Sequence, residues 1–263
     1  MTPKFSSKEI HFLKTDSENS NNKPPETYLG DLLLEKSDVL GEFEKRLAEI
    51  KPPGGKILCA VVQISLSPGS IPEKSEDTFE TAFNSFFDPK KGIWENVSKN
   101  LFVLAFWGYK KEQKASKRVE HLKDHLSKEL QAGILIGIAT FPFHDFSKSQ
   151  LLANAIKATD HAAFFGPYST VPFDSTSLNI SGDRLYQMDK CEMAIEEYQK
   201  GLEIDPDNIN LINSLGVCFG VMGKLDLAKN EFEKAMELNP DELIVIYNIG
   251  LLHQIEGDID KAI

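Results

Sequence analysis

Residues 175–208 read STSLNISGDRLYQMDKCEMAIEEYQKGLEIDPDN, and residues 209–242 read INLINSLGVCFGVMGKLDLAKNEFEKAMELNPDE. Laid over one another at a spacing of 34 residues, with a third copy starting at Leu243, four kinds of position coincide. Gly182, Gly216 and Gly250 fall together, as do Ala194, Ala228 and Ala262, while Tyr198 matches Phe232 and Pro206 matches Pro240. Small residues at fixed places let two antiparallel helices approach closely, a ring fills the gap between them, and a proline ends the second helix. The last third of the chain therefore reads as an all-α array of helical hairpins.

This pattern resembles the tetratricopeptide repeat family. On that register the repeats run 175–208, 209–242 and 243–263, the last truncated, with Leu178, Ile212 and Ile246 where the family usually places a tryptophan. The resemblance implies protein–protein interaction through a groove lined by the first helix of each repeat. The family's groove positions fall here on Thr176, Asn179, Asp183 and Tyr186, then Asn210, Asn213, Val217 and Gly220, then Ile244, Tyr247, Leu251 and Gln254. Asn179, Asp183, Tyr186, Asn213, Val217, Tyr247 and Leu251 are the candidate partner contacts, polar at one end of the groove and apolar at the other. A carboxylate clamp for C-terminal peptides is not expected, because Asn179, Ser214 and Asn248 lack the accompanying lysine and arginine. A truncated third repeat would leave Ile246, Ile249 and Leu251 with an unpaired apolar face and so implies self-association, since each repeat buries its core only against a neighbour.

At 263 residues and 41% hydrophobic, the chain is long enough for two domains with a sizeable core. Its longest apolar run, Gly133 to Phe143, is strand-sized and stops short of a bilayer span, and the opening MTPKFSSKEIHF lacks the apolar stretch of a secretory signal. A cytoplasmic protein without a membrane partner is expected. Cys59, Cys191 and Cys218 are odd in number and scattered, which favours reduced thiols over a disulfide framework. The net charge of -11 is uneven, with seven Lys or Arg against seventeen Asp or Glu from Ser175 onward and near balance before it. An acidic array lacks the basic footprint that nucleic acid or anionic lipid requires, so a neutral or basic protein is the expected partner.

Residues 1–27 are polar and read as a disordered tail. Apolar residues at helical spacing from Leu32 to Ile50 predict a lead-in helix across 28–50, ended by Pro52-Pro53-Gly54-Gly55. ILCAVVQISL, from Ile57 to Leu66, predicts a central strand buried on both faces. Phe79, Phe83, Phe86 and Phe87 mark one face of a helix over 78–87. Two β-prone stretches, Ile93 to Val97 and Leu101 to Trp107, flank the short gap Ser98-Lys99-Asn100 and predict a hairpin. A helix over 111–131, a buried strand GILIGIAT over 133–140, a helix over 147–164 and a short strand over 169–173 complete the set. Strands alternating with helices in this way predict a mixed sheet with helices packed on it, an α+β domain spanning 28–174 ahead of the array at 175–263.

That order is similar to the GGDEF domain of diguanylate cyclases, in the nucleotidyl cyclase superfamily. IGIATFP, from Ile136 to Pro142, resembles the family's SIGIA strand, and Leu151-Leu152 with Thr159-Asp160-His161-Ala162-Ala163-Phe164 resembles its LL…ADxALY helix. The resemblance places two Mg²⁺-binding acids, one near the end of the first strand and one in the hairpin turn. Gln63 and Ser98-Lys99-Asn100-Leu101-Phe102 occupy those places. Neutral Gln63 and Asn100 offer oxygen without charge, Lys99 adds a positive charge, and Ser98 and Lys99 replace the paired turn glycines. The phosphate-holding bases expected after the ADxALY helix fall at Phe165-Gly166-Pro167-Tyr168, and no arginine makes the family's RxxD inhibitory site. Gln63, Ser98, Lys99 and Asn100 are thus expected to be a vestigial nucleotide and metal site.

Other constellations carry less. His121 and His125 share a helix face with Asp124 between them but have no third ligand at a convincing spacing, so no metal is expected. Lys110, Lys111, Lys114, Lys117 and Arg118 form a basic cluster at the start of the long helix. No catalytic nucleophile is placed and no cofactor is implied. The expectation is a non-catalytic, bacterial-type signalling or scaffold protein. Two rival readings stay open: a nucleotide-sensing domain coupled to the repeats, and an active nucleotidyl cyclase using a different constellation.

Overall fold

The computed structural model describes residues 28–35, 38–52, 54–65, 75–86, 88 and 90–262. The tail over 1–27 and Phe87 lie outside the described residues. The chain divides after Ser177 into two compact units.

The first unit is α+β. Strands β1 (Ile57–Ser65), β2 (Gly92–Ser98), β3 (Leu101–Trp107), β4 (Gly133–Phe141) and β5 (Thr170–Pro172) form one mixed sheet in the order β2-β3-β1-β4-β5. Among the described strands β4 and β5 pair in parallel and the other neighbours antiparallel. The run ILCAVVQIS is central because it ladders on both sides, Gln63 facing Leu101 on β3 and Leu135 on β4.

Strand alternation then sorts the side chains between two faces. Leu58, Ala60, Val62 and Ile64 join Phe102, Leu104, Ile134 and Ile136 in a core covered by helices α2 (Ser75–Phe86) and α3 (Glu112–Leu130). Phe79 and Phe83 of α2 set their ring centroids 4.5 and 5.3 Å from that of Phe102. Helix α4 (Leu151–Ala163) packs on β4 and β1. It comes so close at Gly137 that an added Cβ would sit 2.2 Å from the Thr159 nitrogen and 2.3 Å from the Ala155 carbonyl oxygen.

Two element boundaries differ from the sequence expectation. The lead-in is not one helix: a 3-10 turn at Leu29–Leu33 precedes helix α1 (Asp38–Glu49). The Asp160 carboxylate accepts from the backbone N–H groups of Leu29 at 2.6 Å and Gly30 at 2.7 Å, tying the turn to α4. Likewise the segment before α4 starts as a 3-10 turn, Lys148–Gln150, closed by a capping box between Ser147 and Gln150. Lys148 Nζ reaches the carbonyls of Ala48 and Ile50 at 2.6 and 2.9 Å and so satisfies the end of α1.

The second unit is helical: α5 (Ser175–Gln187), which begins in the first unit, α6 (Cys191–Ile204), α7 (Ile209–Val221), α8 (Leu225–Leu238) and α9 (Leu243–Glu256), then a 3-10 turn at Ile259–Lys261. The periodic glycines do what their spacing implies. A Cβ at Gly182 would lie 2.3 Å from the Tyr198 ring, and one at Gly216 2.6 Å from the Phe232 ring, and both rings are fully buried. At Gly250 the nearest atom among the described residues is the Ala262 carbonyl oxygen at 3.4 Å. On α9 the exposed apolar residues are Leu243, Ile246 and Tyr247. Ile249 and Leu251, expected to be unpaired, instead lie half-buried against the cluster of Ile212, Phe232 and Leu252. No helix among the described residues is long and apolar enough to cross a membrane.

Candidate functional site

The hairpin end of the sheet brings Gln63 and the turn together. Register places Gln63 beside Leu101, and the Ile64 amide donates to the Asn100 carbonyl oxygen at 2.8 Å. Asn100 is used on both sides of its amide: Nδ2 donates to the Ile64 carbonyl at 3.4 Å, while Oδ1 accepts from Ser98 Oγ at 3.1 Å. Lys99 is exposed, whereas Leu101 and Phe102 are buried. Two amides, a hydroxyl and an ammonium supply no negative charge, and magnesium is held by carboxylates together with substrate phosphates. The residues present here therefore do not fit a Mg²⁺–triphosphate site. Among the described residues no group of three or more His, Cys, Asp or Glu is placed to hold a metal ion.

The groove candidates divide by exposure. Tyr247 is 48% exposed, Thr176, Asn210 and Gln254 are exposed, and Asn179, Asp183, Tyr186 and Leu251 are half-buried. Asn213 and Val217 do not present an open surface: they are 1% and 0% exposed. Val217 belongs to the buried cluster around Phe232, and Asn213 Oδ1 accepts from Asn248 Nδ2 at 2.8 Å. Asp183 Oδ1 accepts from the Tyr198 hydroxyl at 2.8 Å. Burial, then the Asp183 charge, pushes the Tyr198 hydroxyl far above its ordinary range, so it stays protonated.

A group that spacing did not reveal joins α4 to the start of α5. His161 Nδ1 lies 3.2 Å from Ser177 Oγ and 3.3 Å from Asp174 Oδ1. Asp174 Oδ1 also accepts from the Ser177 hydroxyl at 2.9 Å and the Ser177 amide at 2.8 Å. The residue types match a hydrolytic triad, but the serine hydroxyl points at the carboxylate and not at a base, which is the geometry of a helix cap. Burial alone would raise the Asp174 carboxyl, but hydrogen bonds from His161 and Ser177 and the His161 charge outweigh it, leaving the carboxyl below its ordinary value.

The other sequence candidates are dispersed. His121 and His125 are exposed on α3, as are Lys114 and Lys117, and Lys110 and Lys111 are exposed just ahead of it. Arg118 donates to the Phe86 carbonyl and lies over the Phe86 and Phe106 rings at 5.1 and 5.5 Å, so it serves the core edge. Cys59 and Cys218 are buried and all three cysteines are free thiols.

Comparison with known proteins identifies the array. Residues 182–220 match the model of the TPR repeat, and residues 209–242 that of the tetratricopeptide repeat. This part of the chain consists of tetratricopeptide repeats, a class of module that mediates protein–protein interaction. No curated protein matches the chain. Among solved structures it is similar to the second TPR of Spaghetti (RPAP3) bound to the HSP90 peptide SRMEEVD, with 21% identity over 34% of this chain and 82% of that one at TM-score 0.33. It is also similar to an EAL/GGDEF domain protein from M. capsulatus, with 17% identity over 50% of this chain and 94% of that one at TM-score 0.40. A microbial GGDEF domain, solved in work on its interaction with bis-(3,5)-cyclic di-GMP, shares 13% identity over 51% of this chain and 89% of that one at TM-score 0.40.

Proposed function

We propose that the chain is a signalling or scaffold protein that binds a protein or peptide through its repeat groove, and that its first unit is a GGDEF-like domain that turns over no nucleotide. The repeats at 182–242 carry this reading, because a tetratricopeptide groove is a binding surface and holds no catalytic constellation of its own. The end of the sheet supports the second half, because the four side chains Gln63, Ser98, Lys99 and Asn100 include no carboxylate. On the groove, Tyr247 and Leu251 supply apolar contact while Asn179 and Asp183 supply polar contact. A groove without lysine at its lining positions favours a neutral or basic ligand over an acidic C-terminal peptide of the kind named in the Spaghetti complex.

Affinity capture with the full chain, followed by mass spectrometry, tests this reading. Tyr247→Glu places a charge on an exposed groove position without touching the core, and is expected to remove the specific partner. A partner set identical for the unmodified and Tyr247→Glu chains would refute binding through the groove.

A further inference from the structure

We infer that the outer edge of β2, with the lysine-rich end of the sheet from which it starts, is a second docking surface, which takes an extended, acid-flanked segment of another protein as an added strand. This surface belongs to the first unit and does not rest on the groove.

The basic end is assembled by the fold. Ile57 faces Trp107 and Gly92 faces Phe106, so the start of β1, the start of β2 and the end of β3 lie together. That gathers Lys56, Lys90, Lys91, Lys110, Lys111 and Lys114, all exposed. Lys91 lies over the backbone of Gly108, its Cδ 3.3 Å from where a Cβ would stand. Within 54–56, 88–91 and 108–114 the acids are Asp88 and Glu112, and both are engaged. Asp88 accepts from the Lys90 amide at 3.0 Å, and Glu112 from the Thr140 hydroxyl at 2.6 Å. This end therefore attracts an anionic partner.

The edge supplies backbone. β2 closes one side of the sheet. The Trp107 amide donates to the Lys91 carbonyl at 2.9 Å, which fixes the alternation along the strand. With Lys91 turned to β3, Ile93 and Glu95 are turned to it as well, and Gly92, Trp94 and Asn96 direct their N–H and C=O groups outward. Among the described strands nothing pairs with that side. Such a row of backbone groups is a template for one more strand.

Together the two features select the partner. A nucleic acid or a lipid surface would meet the lysines and leave the edge unused. Trp107 and Tyr109 are half-buried and Arg118 is committed to the Phe86 carbonyl, so neither ring nor guanidinium is free to stack on a base. A second copy fits poorly, because paired in either direction its Lys90, Lys91 and Lys99 fall near lysines. An extended polypeptide with acids at its end uses both the edge and the charge.

The test is the anisotropy of a fluorescein-labelled peptide, an oligo-aspartate block followed by alternating valine and threonine, titrated with the full chain. Saturable binding is expected, weakened by salt. Lys90→Glu with Lys91→Glu should weaken it about tenfold. Asn96→Pro removes an outward donor where an edge strand tolerates proline, and should also weaken binding about tenfold with the thermal midpoint held. Should Asn96→Pro not fold, the same peptide N-methylated along its valine–threonine block makes the comparison on the unmodified chain, and is expected not to bind. Equal binding of the N-methylated peptide, or no binding of the parent up to about 1 mM, overturns the inference. So does loss of binding in Tyr247→Glu, which would put the peptide in the groove. Binding of an oligouridine or of phosphatidylserine vesicles through Lys90 and Lys91, with none of the peptide, overturns it too.

Discussion

Asn248 donates its side-chain amide to Asn213 Oδ1 at 2.8 Å, although the two residues are 35 apart in sequence and both almost fully buried. One repeat earlier the corresponding places hold Asn179 and Ser214. There the Ser214 hydroxyl goes to Tyr198, whose own hydroxyl is committed to Asp183. Asn179 Oδ1 is left without a hydrogen bond among the described residues. Repeats of the same register thus differ in how their polar positions are satisfied.

This difference predicts unequal costs for the same substitution. Asn213→Leu removes the buried Oδ1 that accepts from the Asn248 amide and is expected to destabilise the array by about 1–3 kcal/mol. Asn179→Leu removes an acceptor already without a partner and should cost clearly less. Urea unfolding followed by far-UV circular dichroism compares them, and equal losses would mean that the Asn213–Asn248 bond is not what the array depends on.

The periodic glycines predict a change of sign. Alanine at Gly182 or Gly216 drives a methyl into a buried ring, an overpacking that costs roughly 1–3 kcal/mol. Alanine at Gly250 meets nothing nearer than 3.4 Å among the described residues, and alanine is favoured over glycine inside a helix by about 1 kcal/mol. Gly182→Ala and Gly216→Ala should lower the thermal midpoint while Gly250→Ala holds or raises it. A loss at Gly250 as large as at Gly216 would show that the third repeat has a ring partner of its own.

What was legible in the sequence follows from the range of the interaction that causes it. Gly182 with Tyr198 and Gly216 with Phe232 repeat at one period, so packing between neighbouring helices was visible as spacing. The central strand was equally plain, because ILCAVVQIS is β-prone and apolar nearly throughout, between Gly55 and Pro68. The break between Leu33 and Asp38 was not, since local periodicity favours one helix and the deciding contact comes from Asp160, more than 120 residues away. At the groove, the repeat register named Asn213 and Val217 correctly as first-helix positions but carried no information on their burial. The cap formed by His161, Asp174 and Ser177 leaves no mark in the spacing, because its members are 3 to 16 residues apart and come together only when α4 and the start of α5 are folded.

Asp174 makes the first unit sensitive to acid. Its folded-state carboxyl titrates below its ordinary value, so it contributes stability that is present above the unfolded value of about 4 and is lost as pH falls through the folded value. Both tryptophans, Trp94 and Trp107, lie in the first unit and report on it. Fluorescence-monitored unfolding should show the midpoint falling from pH 5 to pH 3, and Asp174→Asn should flatten that slope while lowering the midpoint at pH 7. An unchanged slope in Asp174→Asn would assign the acid sensitivity to other carboxylates.

The last expectation is that the purified chain makes no cyclic dinucleotide from GTP. Metal ions stabilise attacking and leaving oxygens by several kcal/mol, and each 1.4 kcal/mol is a factor of ten, so a site without either anionic ligand should lose at least about a thousandfold. Gln63 and Asn100 do not recover that charge, and Asn100 is already occupied by Ser98 and the Ile64 carbonyl. Gln63→Asp with Asn100→Asp should not restore turnover, because Lys99 remains in the turn and Asn100→Asp also gives up the amide that ties the hairpin to β1. The assay is chromatographic detection of product after incubation with GTP and either Mg²⁺ or Mn²⁺. Product from the unmodified chain that disappears in Gln63→Ala would overturn the non-catalytic reading and place chemistry at this end of the sheet.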